Sequence, residues 1–154
     1  MHPLWKIIIS VFLLFILTSP LKANAIYNLI GIPNLEIYEI NTPNKLKYFK
    51  ASRPFRLGVL KNITCSNPDQ ETLKNKYKII SKNLGRYSNK FLKKINLKYI
   101  VLCENLSISE INAAGIPDNA MRTLILDIKF NKNYFERVIH HEVFHIINDS
   151  FKEI

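Results

Sequence analysis

The sequence has few of the residues that mark several common protein classes. Of its 154 residues only two are cysteines, Cys65 and Cys103, and neither stands in a C-x-x-C pair or near a histidine. We therefore do not expect sulfur ligands to a metal ion. There is no internal repeat, and the longest apolar run is far shorter than the about 20 residues that span a bilayer. The length suits one domain with a real core and not two.

Acidic residues are also scarce, with 12 against 22 lysines and arginines and a formal net charge of +10. Such an excess can indicate binding to an anionic surface or to nucleic acid. No nucleic-acid-binding motif accompanies it, and an exported chain rarely meets nucleic acid. We therefore interpret the charge mainly as a compositional bias and expect no nucleic-acid partner.

The N-terminus has the pattern of a targeting segment. A weakly positive start precedes an apolar run from Ile7 to Leu17 that only Ser10 interrupts, and Ala23-Asn24-Ala25 has the A-x-A form of a signal-peptidase site. We predict a signal peptide over residues 1–25, with an uncleaved anchor as the alternative. No cysteine lies at the cleavage region, which argues against a lipoprotein. The remaining chain, residues 26–154, would be secreted or periplasmic, without a stable membrane anchor.

Export would place both cysteines in an oxidising compartment, where a disulfide between Cys65 and Cys103 is one outcome and two buried thiols the other. The hydrophobic patterns predict an α+β chain. Alternation predicts a strand over residues 35–40, and further strands are predicted over residues 54–60, 97–103 and 122–128, with a loop over residues 104–121. A helix capped near Asn67 has an apolar stripe that we expect to pack on a sheet, formed by Leu73, Tyr77, Ile80, Leu84, Tyr87 and Phe91. A last helix starts near Tyr134, capped by Asn131 or Asn133.

That last helix contains H-E-x-x-H, from His141 to His145. Residues four apart lie on one face of a helix, so two imidazoles at this spacing can bind one zinc ion from the same side. Glu142 lies beside that face, where its carboxylate can reach a metal-bound water. The residues around the motif are apolar, and no proline or glycine interrupts them. Three of the four histidines, His140, His141 and His145, fall within six residues, which further favours a metal site.

The motif and its flanks resemble zinc metallopeptidases of the zincin class, in particular the gluzincins. The resemblance implies a zincin-like N-terminal subdomain: a small mixed sheet, a backing helix and an active-site helix, with the strand over residues 122–128 at the edge of the cleft. It implies Zn²⁺ as cofactor, His141 and His145 as zinc ligands and Glu142 as general base. The substrate would be a peptide or protein.

The sequence departs from that class in its third zinc ligand, which is unknown. The metzincin form fails, because Asn148 stands at its glycine and Phe151 at its third histidine. Asp149 shares the face of His145 but lies too far along a straight helix to join the ion, so a supporting second-shell role is expected. Glu153 would be a ligand only if the helix broke after Asp149. Because no convincing third ligand precedes Ile154 and the helical run has no stop signal, we expect the domain over residues 26–154 to be incomplete at its C-terminus.

These observations predict a zinc metallopeptidase in which zinc-activated water attacks a peptide carbonyl and Glu142 acts as general base. Two alternatives stay open. One is a degenerate or truncated relative without activity. The other is a small basic exported protein that binds an anionic surface or a partner.

Overall fold

A computed structural model describes Leu29, residues 31–57 and residues 60–152 of the chain. Within them lie eight strands, β1 (Leu35–Glu39), β2 (Lys47–Ala51), β3 (Phe55–Leu57), β4 (Leu60–Ser66), β5 (Tyr99–Ile108), β6 (Ile111–Asn112), β7 (Gly115–Asp118) and β8 (Thr123–Asp127). The same residues include three helices, α1 (Gln70–Leu84), α2 (Asn89–Lys94) and α3 (Lys132–Ser150). The sheet contains parallel and antiparallel pairs. The predicted α+β class with a mixed sheet is therefore confirmed.

Strand β5 is the centre of the sheet. Its first half pairs in parallel with β2 on one side and with β8 on the other, and β1 and β7 extend these pairs antiparallel. Its second half pairs antiparallel with β4 and β6, and β4 also pairs with β3. Because all its first five residues are buried, this strand is a near-continuous apolar run, as expected of a central parallel strand.

The prediction that residues 122–128 form the edge strand is wrong. Strand β8 lies between β5 and β7, and all five of its residues are buried. The edge position belongs to β7, within the segment that the sequence predicted as a loop. Strand β7 contains Pro117, which has no backbone N–H to donate and is tolerated at an edge.

The predicted backing helix exists but is divided in two. Asp69, rather than Asn67, caps α1, because its side chain accepts from the Thr72 N–H. The helix ends at Leu84 with Gly85 as its C-cap, and Ser88 caps the separate helix α2. The apolar stripe nevertheless packs as predicted. All six of its side chains belong to, or pack against, one core between the sheet and the helices.

The two faces of the sheet carry different cores. Alternate residues of β5 point to opposite faces, so Ile100 and Leu102 pack towards α1 and α3, while Val101 and Cys103 enter a second core on the other face. In that second core Cys65 and Cys103 form a disulfide, with an S–S distance of 2.16 Å. The chain thus adopts the bonded one of the two states that its sequence left open.

The predicted signal peptide over residues 1–25 lies outside the described residues. Within the described part of the chain, no helix is both long and apolar enough to cross a bilayer. The disulfide is compatible with an oxidising compartment.

Candidate functional site

Helix α3 positions the motif predicted from sequence. It begins after Asn131, whose side chain accepts from the Tyr134 N–H, and it continues without interruption to Ser150. One side is buried against the sheet and α1 and includes Phe135, Val138, Ile139, Val143 and Ile146. The opposite side is exposed, and His141, Phe144 and His145 lie on it. The Phe144 side chain is 60% exposed, which is high for an aromatic residue.

The two motif histidines face each other. The Nε2 atoms of His141 and His145 lie 3.1 Å apart, and their rings are nearly perpendicular at 83°. Two nitrogen ligands of one tetrahedral zinc ion are separated by about 3.3 Å, given Zn–N bonds of about 2.0–2.1 Å. The same distance also suits an N–H···N hydrogen bond between neutral imidazoles. The pair is therefore spaced either to share a proton or to bind one metal ion.

Glu142 has the opposite environment to its neighbours. It is only 5% exposed, and its Oε2 is buried without a hydrogen-bond partner among the described residues. Burial raises the pKa of Glu142 above its ordinary value, while the adjacent imidazoles of His141 and His145 oppose that rise. A carboxylate with a raised pKa and an unpaired oxygen is better suited to accept and return a proton than one in a salt bridge.

Gly115 of β7 makes room for this carboxylate. A Cβ at that position would lie 2.7 Å from Cγ of Glu142 and 3.0 Å from Cγ1 of Val138. Neither distance allows an ordinary van der Waals contact. The absence of a side chain at Gly115 thus allows the edge strand and α3 to approach closely at the position of Glu142.

A cleft of about 450 Å³ lies between α3 and the chain that leads into β7. His141 and Glu142 both line it, together with Ala113, Ala114, Gly115, Tyr134, Arg137 and Val138. Strand β7 pairs only with β8 among the described residues, so its other edge has unpaired backbone groups. An exposed edge of this kind can pair with an extended peptide.

The sequence missed these lining residues on the β7 side, because it placed them in a loop. The run Gly115, Ile116 and Pro117 is too short to show a recognisable alternation of apolar and polar residues. The signal that could have indicated an inner β8, and hence another edge, is the continuous apolar run Leu124-Ile125-Leu126. Such a run is typical of a strand that is buried on both faces.

The third clustered histidine does not belong to this cleft. His140 points towards α1 and the turn that follows it, where its Nδ1 lies 2.7 Å from the Tyr87 hydroxyl and its Nε2 lies 2.9 Å from Oδ1 of Asn83. Both ring nitrogens are therefore occupied. The clustering of His140, His141 and His145 in sequence does not place all three on one site.

Asp149 has a partner other than the histidines. Its Oδ2 accepts from Nη1 of Arg122 at 2.9 Å, and the Arg122 guanidinium also donates to the Ile95 carbonyl and to Oγ of Ser150. This network fastens the end of α3 to the segment before β8. Glu153, the other acidic candidate, lies outside the described residues.

The residues present fit a zinc ion only in part. Across residues 31–57 and 60–152, no three side chains of His, Cys, Asp or Glu form a group that could hold a metal ion. Both cysteines are consumed in the disulfide. A catalytic zinc has three protein ligands and an open position. The described residues supply two ligands, His141 and His145.

Comparison of the chain with protein families, with curated proteins and with solved structures finds no match. The resemblance to the zincin class, including its gluzincin form, is therefore wrong. The five-residue motif lies on a helix as that class would have it, but no family match and no third ligand among the described residues accompany it. Three fixed letters at helical spacing are too few to establish a relationship.

Proposed function

We propose that His141 and His145 bind a zinc ion, and that the chain uses this site to hydrolyse peptide bonds in a secreted or periplasmic setting. The observation that carries the proposal is the 3.1 Å approach of the two Nε2 atoms beside a buried glutamate. The proposal depends on the arrangement of His141, Glu142 and His145 on α3. It assumes no relationship to any known peptidase class.

A zinc ion at such a site supplies a more acidic bound water and a Lewis acid for a carbonyl oxygen. The roles of the chain's own residues follow from their environments. Glu142 would accept a proton at Oε2, the atom without a partner, and return it to the leaving amine. The free edge of β7 would hold the substrate backbone in an extended form. Gly115 keeps the carboxylate close to that edge.

A second candidate is zinc binding without hydrolysis. It is favoured by the absence, among the described residues, of a third side chain that could complete the ion's protein ligands. In either case the full chain would have to supply a third ligand from outside the described residues. Only the hydrolytic candidate requires Glu142 to move a proton.

The test combines metal analysis with a peptidase assay on the full chain. After zinc loading and dialysis we expect about one zinc ion per chain, lost in His141→Ala and in His145→Ala. Asn148→Ala, an exposed change on the same helix, serves as the control and should retain zinc. Glu142→Gln should retain zinc and abolish cleavage of a peptide library.

Each outcome has a definite meaning. Zinc retention with no chelator-sensitive cleavage would leave the second candidate and exclude the first. If the unaltered chain retains no zinc after loading with excess metal and dialysis, both candidates are excluded.

A further inference from the structure

A larger cavity, of about 600 Å³, lies at the end of the sheet where the parallel strands β2 and β5 begin. The loop before β2, helix α2 and the segment leading into β5 form its walls. Its lining residues are Asn44, Lys45, Lys47, Asn89, Lys90, Leu92, Lys93, Asn96, Leu97, Lys98 and Tyr99. None of them lines the cleft beside His141 and Glu142. We call this cavity the lysine pocket.

The charge of the lysine pocket is all of one sign. Five lysines line it, and no aspartate or glutamate does. The ion pairs within the described residues are Lys50–Glu36 and Arg122–Asp149, so none of the five lysines has a carboxylate partner there. A concave surface lined by one sign of charge concentrates its electrostatic potential and attracts ions of the opposite sign.

The general excess of lysine does not account for this arrangement. The cleft beside α3 belongs to the same basic chain, yet it is lined by one cation, Arg137, and one carboxylate, Glu142. The lysines of the pocket also come from three separate segments of the chain. The fold, and not a local run of lysines, brings them together.

The walls of the pocket are held in place by polar contacts. Nδ2 of Asn89 donates to the Pro43 carbonyl at 3.2 Å and ties α2 to the loop before β2. Within that loop, Oδ1 of Asn44 accepts from the Leu46 N–H at 3.3 Å. The Lys47 N–H donates to the Lys98 carbonyl at 3.0 Å, joining two of the lysine-bearing segments. These contacts fix the backbone walls, so a ligand would not have to order the walls on binding.

The uncharged lining residues and the volume of the pocket indicate the polarity and size of a ligand. Leu92 and Leu97 are buried and line the pocket beside the charged residues. The volume lies within the range of pockets that bind small organic molecules, about 300–1,000 Å³. Apolar residues together with several ammonium groups suit a molecule that has both an apolar part and more than one negative charge.

We propose that the lysine pocket binds a small phosphorylated organic compound. Phosphate groups supply more than one charge in a small volume, and lysine is a regular phosphate ligand in proteins. The apolar part of the compound would lie against Leu92 and Leu97. This binding is separate from the metal site that we propose on α3, because the two sites share no residue.

The test is calorimetric titration of the full chain with adenosine monophosphate, pyrophosphate and uncharged adenosine at about 0.15 M ionic strength, where exposed charges farther apart than about 8 Å are largely screened. The variant Lys47→Gln, Lys93→Gln, Lys98→Gln removes three charges from the pocket. The matched control Lys74→Gln, Lys78→Gln, Lys82→Gln removes three exposed charges of α1 that do not line it. Circular dichroism checks that both variants are folded.

We expect saturable binding of adenosine monophosphate and pyrophosphate, and far weaker binding of adenosine. The pocket variant should bind both phosphates at least about tenfold more weakly, since each charge-assisted hydrogen bond is worth about that factor. The control should change the affinity by less than about threefold, as expected of screened distant charges. Equal weakening in both variants, or no saturable binding of either phosphate, would overturn the proposal.

Discussion

The two sides of helix α3 give neighbouring histidines opposite environments. On the side facing α1, both ring nitrogens of His140 have partners, Tyr87 and Asn83. On the exposed side, the Nε2 atoms of His141 and His145 lie within hydrogen-bond distance of each other, and neither has another partner among the described residues. A histidine with both nitrogens satisfied fixes structure, while a pair with no other partner is free to bind a ligand. One helix thus combines a structural and a candidate functional use of the same side chain.

The proton positions on the structural side can be inferred. Nδ2 of Asn83 donates to the Ile79 carbonyl at 2.8 Å, which orients Oδ1 of Asn83 as the acceptor towards His140. His140 therefore carries its proton on Nε2, and its Nδ1 accepts from the Tyr87 hydroxyl. Burial lowers the pKa of His140, and Arg86 adds to this effect while Glu136 opposes it. A neutral imidazole with hydrogen bonds at both ring nitrogens is poorly placed to bind a metal ion.

The largest expected difference between the two sides is in zinc affinity. His141→Ala should weaken zinc binding by more than about 100-fold, because it removes a direct ligand, while loss of a residue that only orients a ligand costs about 10–100-fold. His140→Ala should change it by only a few fold, provided that the chain remains folded. Competition with a chromogenic chelator measures both affinities. Equal losses in the two variants would remove the functional distinction between the sides.

The next effect is on the free energy of unfolding, where His140→Ala should have the larger effect and His141→Ala the smaller. His140→Ala should lower the free energy of unfolding by about 2–3 kcal/mol, since it leaves the largely buried Asn83 Oδ1 and the Tyr87 hydroxyl without their partner. His141→Ala should lie within about 0.5 kcal/mol of the unaltered chain, as for most exposed substitutions. Urea unfolding without metal provides the values. A larger loss for His141→Ala would contradict the assignment of the structural side.

A third prediction tests the contact between the edge strand and the cleft. Gly115→Ala should cost about 1–3 kcal/mol, because its Cβ would overlap with Cγ of Glu142. Glu142→Ala removes that Cγ, so the double variant should lose less than the sum of the two single changes. A double-mutant cycle of unfolding free energies measures the coupling. Strict additivity would mean that Gly115 does not make room for Glu142.

The smallest expected effect concerns Asp149. Asp149→Asn should lower the free energy of unfolding by about 1 kcal/mol or less, because the ion pair between Asp149 and Arg122 is partly exposed. Its effect on zinc affinity should be within about threefold. A residue that orients a zinc ligand would change that affinity by about 10–100-fold when altered. Chelator competition on this variant therefore decides whether the predicted supporting role of Asp149 is correct.

The sequence predicted the parts of the fold that have strong periodicity. The apolar stripe from Leu73 to Phe91 packs as expected, although Gly85 divides it between two helices. Strand β2 was missed, because in its five residues two adjacent aromatic side chains lie between two lysines and give little alternation. Strand β7 was missed because it is short and contains a glycine and a proline. Both are held by pairing with distant segments, which a local pattern does not encode.

The site was predicted only in its local part. Helical spacing correctly places His141 and His145 on one face. The same spacing turns His140 about 100° from His141 around the helix. The sequence alone therefore indicates that His140 does not share a metal site with His141 and His145. The burial of Glu142 depends on Gly115, which is distant in sequence. The engagement of Asp149 depends on Arg122, 27 residues away, and no local pattern indicates it.

The central claim is that the two sides of α3 differ in their response to metal. Nitrogen-15 NMR of the imidazole rings, with zinc added up to about one equivalent, observes each histidine separately. We predict saturable shifts of the Nε2 signals of His141 and His145, with the signals of His140 unchanged. Unshifted His141 and His145 signals, or an equal response of His140, would contradict the claim.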